Sequence, residues 1–373
     1  MKDTINFKKL KVALVAEELT QLGGAERVVD AFLELFPKAP VFTTVWDKEK
    51  TQHKYDQFEI RPSFIQKMPW GIKNYKWYLP LMPLAIESFN LKDYDLIISS
   101  CSALVKGFKT NRNQIHICYC HTPARFLWID SENYIQNAPI PWFIRPLMPI
   151  DLYFLRRWDA KASQRPDFYI ANSKNTQDRI KIYYHKDSEV IYPPIDANKY
   201  HIAKEIGNYF IIASRMEPYK KVDLAIKAFN KIKRQLKVVG SGSKKEDLKE
   251  LAGPTIEFTG RLSDEELADA YAKAQAFIFP PDEDFGLTPL ESMASGRPVI
   301  AFRKGGALET VVEGVTGEFF YPQTVSALAT AVSNFKLQKF NPQKIREHAK
   351  KFDKEIFKNK IMLYIKEALI KKG

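Results

Sequence analysis

The run Ala276-Phe-Ile-Phe-Pro-Pro-Asp-Glu-Asp-Phe-Gly-Leu-Thr-Pro-Leu-Glu-Ser-Met-Ala-Ser-Gly-Arg-Pro-Val-Ile-Ala-Phe302 decides the fold. Its ends, Ala276–Phe279 and Pro298–Phe302, are short apolar strands, and Leu287–Ser295 between them reads as a helix. Gly296 ends that helix, in the position where a left-handed residue usually stops one. Working upstream, Tyr209–Ser214 is a strand, Val222–Lys233 has helical spacing, and Gln235–Val239 is a strand closed by Gly240-Ser-Gly242. Thr255–Phe258 is a strand stopped by Gly260. Ser263-Asp-Glu-Glu266 is a capping box that opens a helix running through Ala274. Strands alternating with helices over short connections mean a parallel, doubly wound α/β sheet.

The first half has the same grammar with more insertion. Lys11–Ala16 is a buried strand and Ala25–Phe36 an amphipathic helix, joined by a loop, Glu17–Gly24, that ends in Gly23-Gly24. Strands follow at Val41–Val45, Leu96–Ser99, Ile115–Cys120 and Phe168–Ala171. Two prolines in Ile191-Tyr-Pro-Pro-Ile-Asp196 mark a boundary. The expectation is a domain over 1–196, a second over 197–352, and a last helix in 353–373 that packs back on the first. Two such domains place a cleft between the carboxyl ends of their sheets, where ligands bind in this architecture.

A chain of 373 residues with 45% hydrophobic content suits two such cores. No run approaches the ~20 apolar residues of a spanning helix. The polar, basic start and the short apolar run Val12–Ala16 do not make a signal peptide, so a cytoplasmic location is expected. His116-Ile-Cys-Tyr-Cys-His121 has the composition of a metal cluster, but it reads as a strand. At ~3.3 Å per residue, His116 and Cys120 stand roughly 13 Å apart. Buried thiols are therefore expected at Cys118 and Cys120, and no metal. The net charge of +13 calls for an anionic partner. No helix-turn-helix, zinc-finger or RNP motif is visible, which argues against nucleic acid. Segments 64–90 and 138–158 interleave aromatics with cations, as in Met68-Pro-Trp-Gly-Ile-Lys-Asn-Tyr-Lys-Trp-Tyr78 and Ile140-Pro-Trp-Phe-Ile-Arg145. That pattern suits an anionic membrane surface, and equally an insertion buried on the first domain.

Four features carry chemistry. Glu283 closes a strand, Phe285-Gly286-Leu287 enters the next helix, and Glu291 lies one to two turns along it. A glycine at 286 lets a ligand approach the backbone, and helix-start N–H groups face anions. Arg215 and Lys220 occupy the loop after Ser214, where two cations are placed to neutralise a diphosphate. Gly23-Gly24 opens the first helix without the G-x-G-x-x-G spacing of a nicotinamide site. His121, at a strand's end in Cys-His-Thr-Pro, is placed for a sugar hydroxyl or for a structural bond.

Together these resemble the family 4 retaining glycosyltransferases of GT-B fold over nearly the whole chain. The E-x7-E element matches Glu283 and Glu291, and R-x4-K matches Arg215 and Lys220. Gly305-Gly306 with Glu309, Glu313-Gly-Val-Thr-Gly317, Gly23-Gly-Ala-Glu-Arg27, Cys120-His-Thr-Pro123 and Ala171-Asn-Ser173 are similar to the family too. Ala85–Phe108 and Tyr119–Trp128 look most like bacterial O-antigen mannosyltransferases. The resemblance implies that Arg215 and Lys220 hold the donor diphosphate, Glu283 the sugar, Glu291 the ribose, and Phe285-Gly286-Leu287 the donor's approach. Gly23 and Gly24 would lie by phosphate or acceptor, and His121 by the transferred sugar. It implies transfer with retention, without an Asp or Glu nucleophile, cofactor or metal; Asp282-Glu-Asp284 is then an incidental D-x-D. The implied donor is GDP-mannose. The implied acceptor is a polyprenyl-diphosphate-linked glycan at the inner face of the cell membrane. Rival readings are a UDP-sugar transferase, an epimerase or phosphorylase of GT-B fold, a basic nucleic-acid binder, and a non-catalytic nucleotide-sugar module.

Overall fold

A computed structural model describes residues 10–137 and 145–372. The expectations for the basic amino terminus before Leu10 and for the aromatic residues of 138–144 fall outside the described residues. The chain divides into two compact units, one reaching Pro193 and regaining the chain from Phe357, the other spanning Pro194–Ile356.

The first unit holds seven parallel strands: β1 (Val12–Ala16), β2 (Val41–Thr43), β3 (Ile60–Pro62), β4 (Leu96–Cys101), β5 (Ile115–Cys120), β6 (Phe168–Ala171) and β7 (Glu189–Val190). They lie in the order β3-β2-β1-β4-β5-β6-β7. Strands buried on both faces read as continuous apolar runs, and alternate residues then serve different layers. Leu14, Ile98, Ile117 and Tyr119 pack under helix Gly24–Leu35, while Ala13, Ile97, Cys118 and Cys120 pack against Leu104, Leu152 and Leu155 on the other face. Helix Lys354–Lys372 carries Phe357, Ile361, Ile365 and Ala368 into the first of those layers, at the 3–4 residue spacing of one helix face. The three cysteines are free and buried.

The second unit has six parallel strands: β8 (Phe210–Ala213), β9 (Leu236–Val239), β10 (Ile256–Gly260), β11 (Phe277–Phe279), β12 (Val299–Phe302) and β13 (Gly317–Phe320), in the order β10-β9-β8-β11-β12-β13. The Ser263 capping box is present in full, with the Ser263 hydroxyl accepting from the Glu266 N–H at 3.2 Å and the Glu266 carboxylate accepting from the Ser263 N–H at 2.8 Å. The helix after β11 is Thr288–Ala294, one residue shorter at each end than the sequence reading.

The aromatic insertion 64–90 is split between the two alternatives. Ile65, Met82, Ala85 and Ile86 are buried in the core, whereas Trp70, Trp77 and Leu84 are exposed. Helix Met148–Ala162 shows the same division. Met148, Leu152 and Leu155 are buried, and Leu147, just before it, Ile150, Tyr153 and Phe154 stand in solvent.

Candidate active site

In both sheets the strand order reverses between the first strand and the fourth, at β1/β4 and at β8/β11. Chain connections leave in opposite directions there, opening a crevice at the carboxyl ends where ligands bind. Arg215, Lys220 and Glu283 fall on the lips of the second crevice, and Gly23 and Gly24 in the connection that follows β1 at the first.

In the second unit, Arg215 and Lys220 follow β8, and Glu283 follows β11. The Lys220 ammonium donates to Glu283 Oε1, and both side chains are mostly covered, at 16% and 17% exposure. This ion pair joins the two lips of the crevice. Arg215 is exposed and donates to the Tyr219 hydroxyl at 2.7 Å. The loop carrying these cations is held from behind: Met216 is buried, and Glu217 accepts from the Ser243 amide and hydroxyl at 3.2 and 2.7 Å.

The 280–287 loop is equally constrained. The Gly306 N–H donates to the Glu283 carbonyl at 2.8 Å, and a Cβ at Gly306 would lie 2.2 Å from Phe285 Cα. Gly305-Gly306 therefore lets the β12 loop lie against the backbone that presents Glu283. Asp282, the first residue of the D-x-D, pairs with Lys304 at 3.0 Å. Gly286 has φ +86°, and a Cβ there would meet the Phe279 ring at 2.6 Å. The sequence reading gave Gly286 to ligand approach; the chain's own ring already requires it. Phe285 is buried, its ring 6.0 Å from Phe352, and Leu287 is the N-cap of the short helix. Pro289, in the first turn, supplies no N–H.

Glu291, expected at the ribose, lies in the core. It is 1% exposed and its Oε2 accepts from the Tyr271 hydroxyl at 3.0 Å. A carboxylate is seldom so deeply buried unless a partner satisfies it. Tyr271 was not visible as a partner because it lies on a different helix, Asp264–Lys273.

In the first unit, Gly23 is the N-cap of helix Gly24–Leu35 and donates its N–H to Glu26 Oε2 at 2.9 Å. His121 follows β5, and its Nε2 lies 2.8 Å from Ser100 Oγ, at the end of β4. Burial lowers the His121 pKa to about 4, so the ring is neutral at pH 7. His116 points into the core, 2.8 Å from Ser99 Oγ, with its pKa lowered to about 3 by burial.

One residue was passed over. Glu17 immediately follows β1, and its Oε1 accepts from the amides of Ala103, Leu104 and Val105 at 3.0, 2.5 and 3.0 Å. Like Arg215, Glu17 is a polar side chain just beyond a buried strand.

Comparison with known proteins agrees with this layout. Two family models match: "Glycosyltransferase Family 4" over residues 22–199 and "Glycosyl transferases group 1" over residues 196–352. The α-1,3/1,6-mannosyltransferase ALG2 of Dictyostelium discoideum is 25% identical over 414 residues, covering 91% of this chain and 92% of its own. Sulfoquinovosyl transferase of Arabidopsis thaliana is 28% identical over 239 residues, covering 59% of this chain; the chain spans 47% of that protein. A GDP-mannose-dependent phosphatidylinositol monomannoside mannosyltransferase of Mycolicibacterium smegmatis is 34% identical over 142 residues, covering 33% of this chain and 37% of its own. Among solved structures, sucrose-phosphate synthase of Thermosynechococcus elongatus superposes with a TM-score of 0.73 at 18% identity, covering 96% of this chain and 99% of its own. With two parallel-sheet Rossmann-like units and both halves of the chain matched, this protein belongs to the family 4 glycosyltransferases of GT-B fold.

Proposed function

We propose that the chain transfers a hexose, with retention of configuration, from a nucleotide sugar to a glycan acceptor, and that GDP-mannose is the donor. The observation that carries this reading is the meeting of Lys220 and Glu283 across the β8/β11 crevice, beside Arg215. A donor diphosphate entering there exchanges the Lys220–Glu283 contact for one between Lys220 and phosphate, leaving Glu283 to accept from hydroxyls of the sugar. Arg215 and Lys220 stabilise the negative charge that grows on the departing diphosphate, which is where electrostatic catalysis acts most strongly. The bond from the anomeric carbon to the diphosphate oxygen breaks, the acceptor oxygen bonds to that carbon on the same face, and its proton passes to the leaving phosphate. No carboxylate nucleophile is required, unlike the paired carboxylates of retaining glycosidases. Glu291 is covered and bonded to the Tyr271 hydroxyl, so its role on the ribose diol requires that contact to open.

Mannose as the sugar is supported by the relatives, two of which are named as mannosyltransferases. Two cations at the diphosphate make a metal unnecessary in this scheme. A lipid-linked acceptor, a polyprenyl diphosphate at the inner face of the membrane, is supported by the charge of +13 and by the exposed Ile150, Tyr153 and Phe154 beside Arg157. No helix among the described residues is long and apolar enough to cross a membrane, so this contact is peripheral in the proposal.

The test is thermal stabilisation by GDP, GDP-mannose, UDP and UDP-glucose in EDTA, followed by transfer assays with the donor that binds. A shift with GDP ligands supports the whole reading. A shift with UDP ligands alone discards mannose from GDP-mannose and keeps the enzyme class. Activity lost in EDTA and restored by Mg²⁺ or Mn²⁺ overturns metal independence.

A further inference from the structure

The β1/β4 crevice of the first unit holds a small cavity of about 40 Å³, lined in part by Glu17, Glu18, Gln21, Glu26, Ser100 and Ser102. That volume admits roughly two or three water-sized groups. It is a socket for a hydroxyl or hydroxymethyl group and too small for a sugar ring. Three carboxyl side chains line it and no Lys or Arg does. Such a wall repels a phosphate and favours a neutral group with O–H donors.

Glu17, in this wall, divides its bonding unevenly. Its Oε1 accepts from the three successive amides of Ala103, Leu104 and Val105, while Oε2 has no hydrogen bond within the chain among the described residues. Holding the 103–105 backbone needs one oxygen, and that oxygen is already committed. The second is spare, on a residue lining a polar socket at the switch point of a sheet.

We propose that Glu17 is a substrate-contacting residue, which takes a hydroxyl of the acceptor sugar with the oxygen that the 103–105 amides leave open. This rests on the glycosyltransferase reading above, and assigns the small socket beside β1 and β4 to a sugar hydroxyl. Burial, and then the neighbouring Glu18, push the Glu17 carboxyl up to about 7 against the opposing pull of the Val105 and Leu104 amides. The charged or polar groups around it are Glu18 on its own loop, Glu26 of helix Gly24–Leu35, Cys101 of β4 at 4.0 Å, and Lys106 of the turn Val105–Gly107. The ionised form accepts a sugar hydroxyl more strongly than the acid, so acceptor affinity rises as pH increases through about 7.

Binding of methyl α-mannopyranoside, methyl α-glucopyranoside and methyl β-N-acetylglucosaminide to the full chain, followed by NMR titration from pH 6 to 8, tests this. Glu17→Gln keeps a carbonyl oxygen for the three amides but cannot ionise. Expected is a wild type that binds at least one glycoside more tightly at high pH, and a Gln variant that stays folded with a cooperative melt. That variant should bind the glycoside roughly ten- to a hundredfold more weakly, with no pH dependence. A Gln variant that binds as the wild type does, at every pH, overturns the proposal and leaves Glu17 a structural residue. A wild type that binds none of the glycosides overturns it as well. Stabilisation by GDP or UDP, measured on the same samples, judges the donor site separately, so its failure is a failure of the glycosyltransferase reading alone.

Discussion

Lys220 is where the assignment of the donor site is most exposed to experiment. Its ammonium is mostly covered and pairs with Glu283, so removing it deletes one cation from the crevice and leaves a half-buried carboxylate without its partner. Lys220→Ala should retain the fold and lower turnover by roughly 10²–10³-fold, the scale set by loss of one preorganised charge. Unchanged turnover would remove Lys220 from the site. Lys106 looks similar on paper and behaves differently. It is wholly buried with Asp159, which also accepts from the Trp128 indole at 2.8 Å. Burial opposes the ammonium's charge, and Asp159 more than restores it. Asp159→Ala strands that charge and should destabilise the first unit by about 3–5 kcal/mol. A melting temperature near that of the wild type would contradict this. A lysine in a Lys-rich sequence thus has three fates (surface, crevice lip, core), and only the strand preceding Lys220 distinguished it in advance.

At the scale of elements, the central strands were legible because they are buried on both faces and therefore almost wholly apolar. Of the four edge strands only Ile256–Gly260 was. Ile60–Pro62 contains an arginine and a proline, Glu189–Val190 is two residues long, and Gly317–Phe320 carries a glycine and a glutamate. An edge strand has one neighbour and more solvent, so its side chains need not announce it. Glu291 was placed on the correct helix, but its burial depends on Tyr271, a contact between helices that spacing along one chain cannot reveal. The exposed stripe of helix Met148–Ala162 was visible as composition only. Its helical spacing gives a sharper prediction: Ile150→Ser with Phe154→Ser should weaken co-sedimentation with phosphatidylglycerol vesicles by tenfold or more, since each apolar side chain contributes roughly 1.5–3 kcal/mol when buried. Equal binding by the double variant would put the membrane contact elsewhere or nowhere.

For the whole molecule, the buried titratable groups set how stability follows pH. His116, His121 and His348 are all held below the ordinary imidazole value by burial. The unfolded chain therefore takes up their protons first, and the stability they confer is lost as pH falls below about 6.5. Two groups act oppositely. Glu17 is raised to about 7 by burial, and exposed His53 is raised by hydrogen bonding to Asp56, so both favour the folded state at lower pH. Between about pH 6.5 and 4.5 the raised His53 is charged in both states, and His116 and His121, lowered to about 3 and 4, face the raised Glu17, so the unfolded state binds about one proton more. Stability should thus fall on acidification across that window, with a slope of about 1.4 kcal/mol per pH unit for one net proton. Glu17→Gln removes the opposing carboxyl, so its melting temperature should fall more steeply than that of the wild type between pH 6.5 and 4.5, while near pH 8, where the wild-type carboxyl is ionised in both states, the two curves run parallel with the Gln variant the more stable. Parallel curves for the two proteins between pH 6.5 and 4.5 would mean that Glu17 ionises at an ordinary carboxyl pH despite its burial, and that the amides of residues 103–105 outweigh the desolvation.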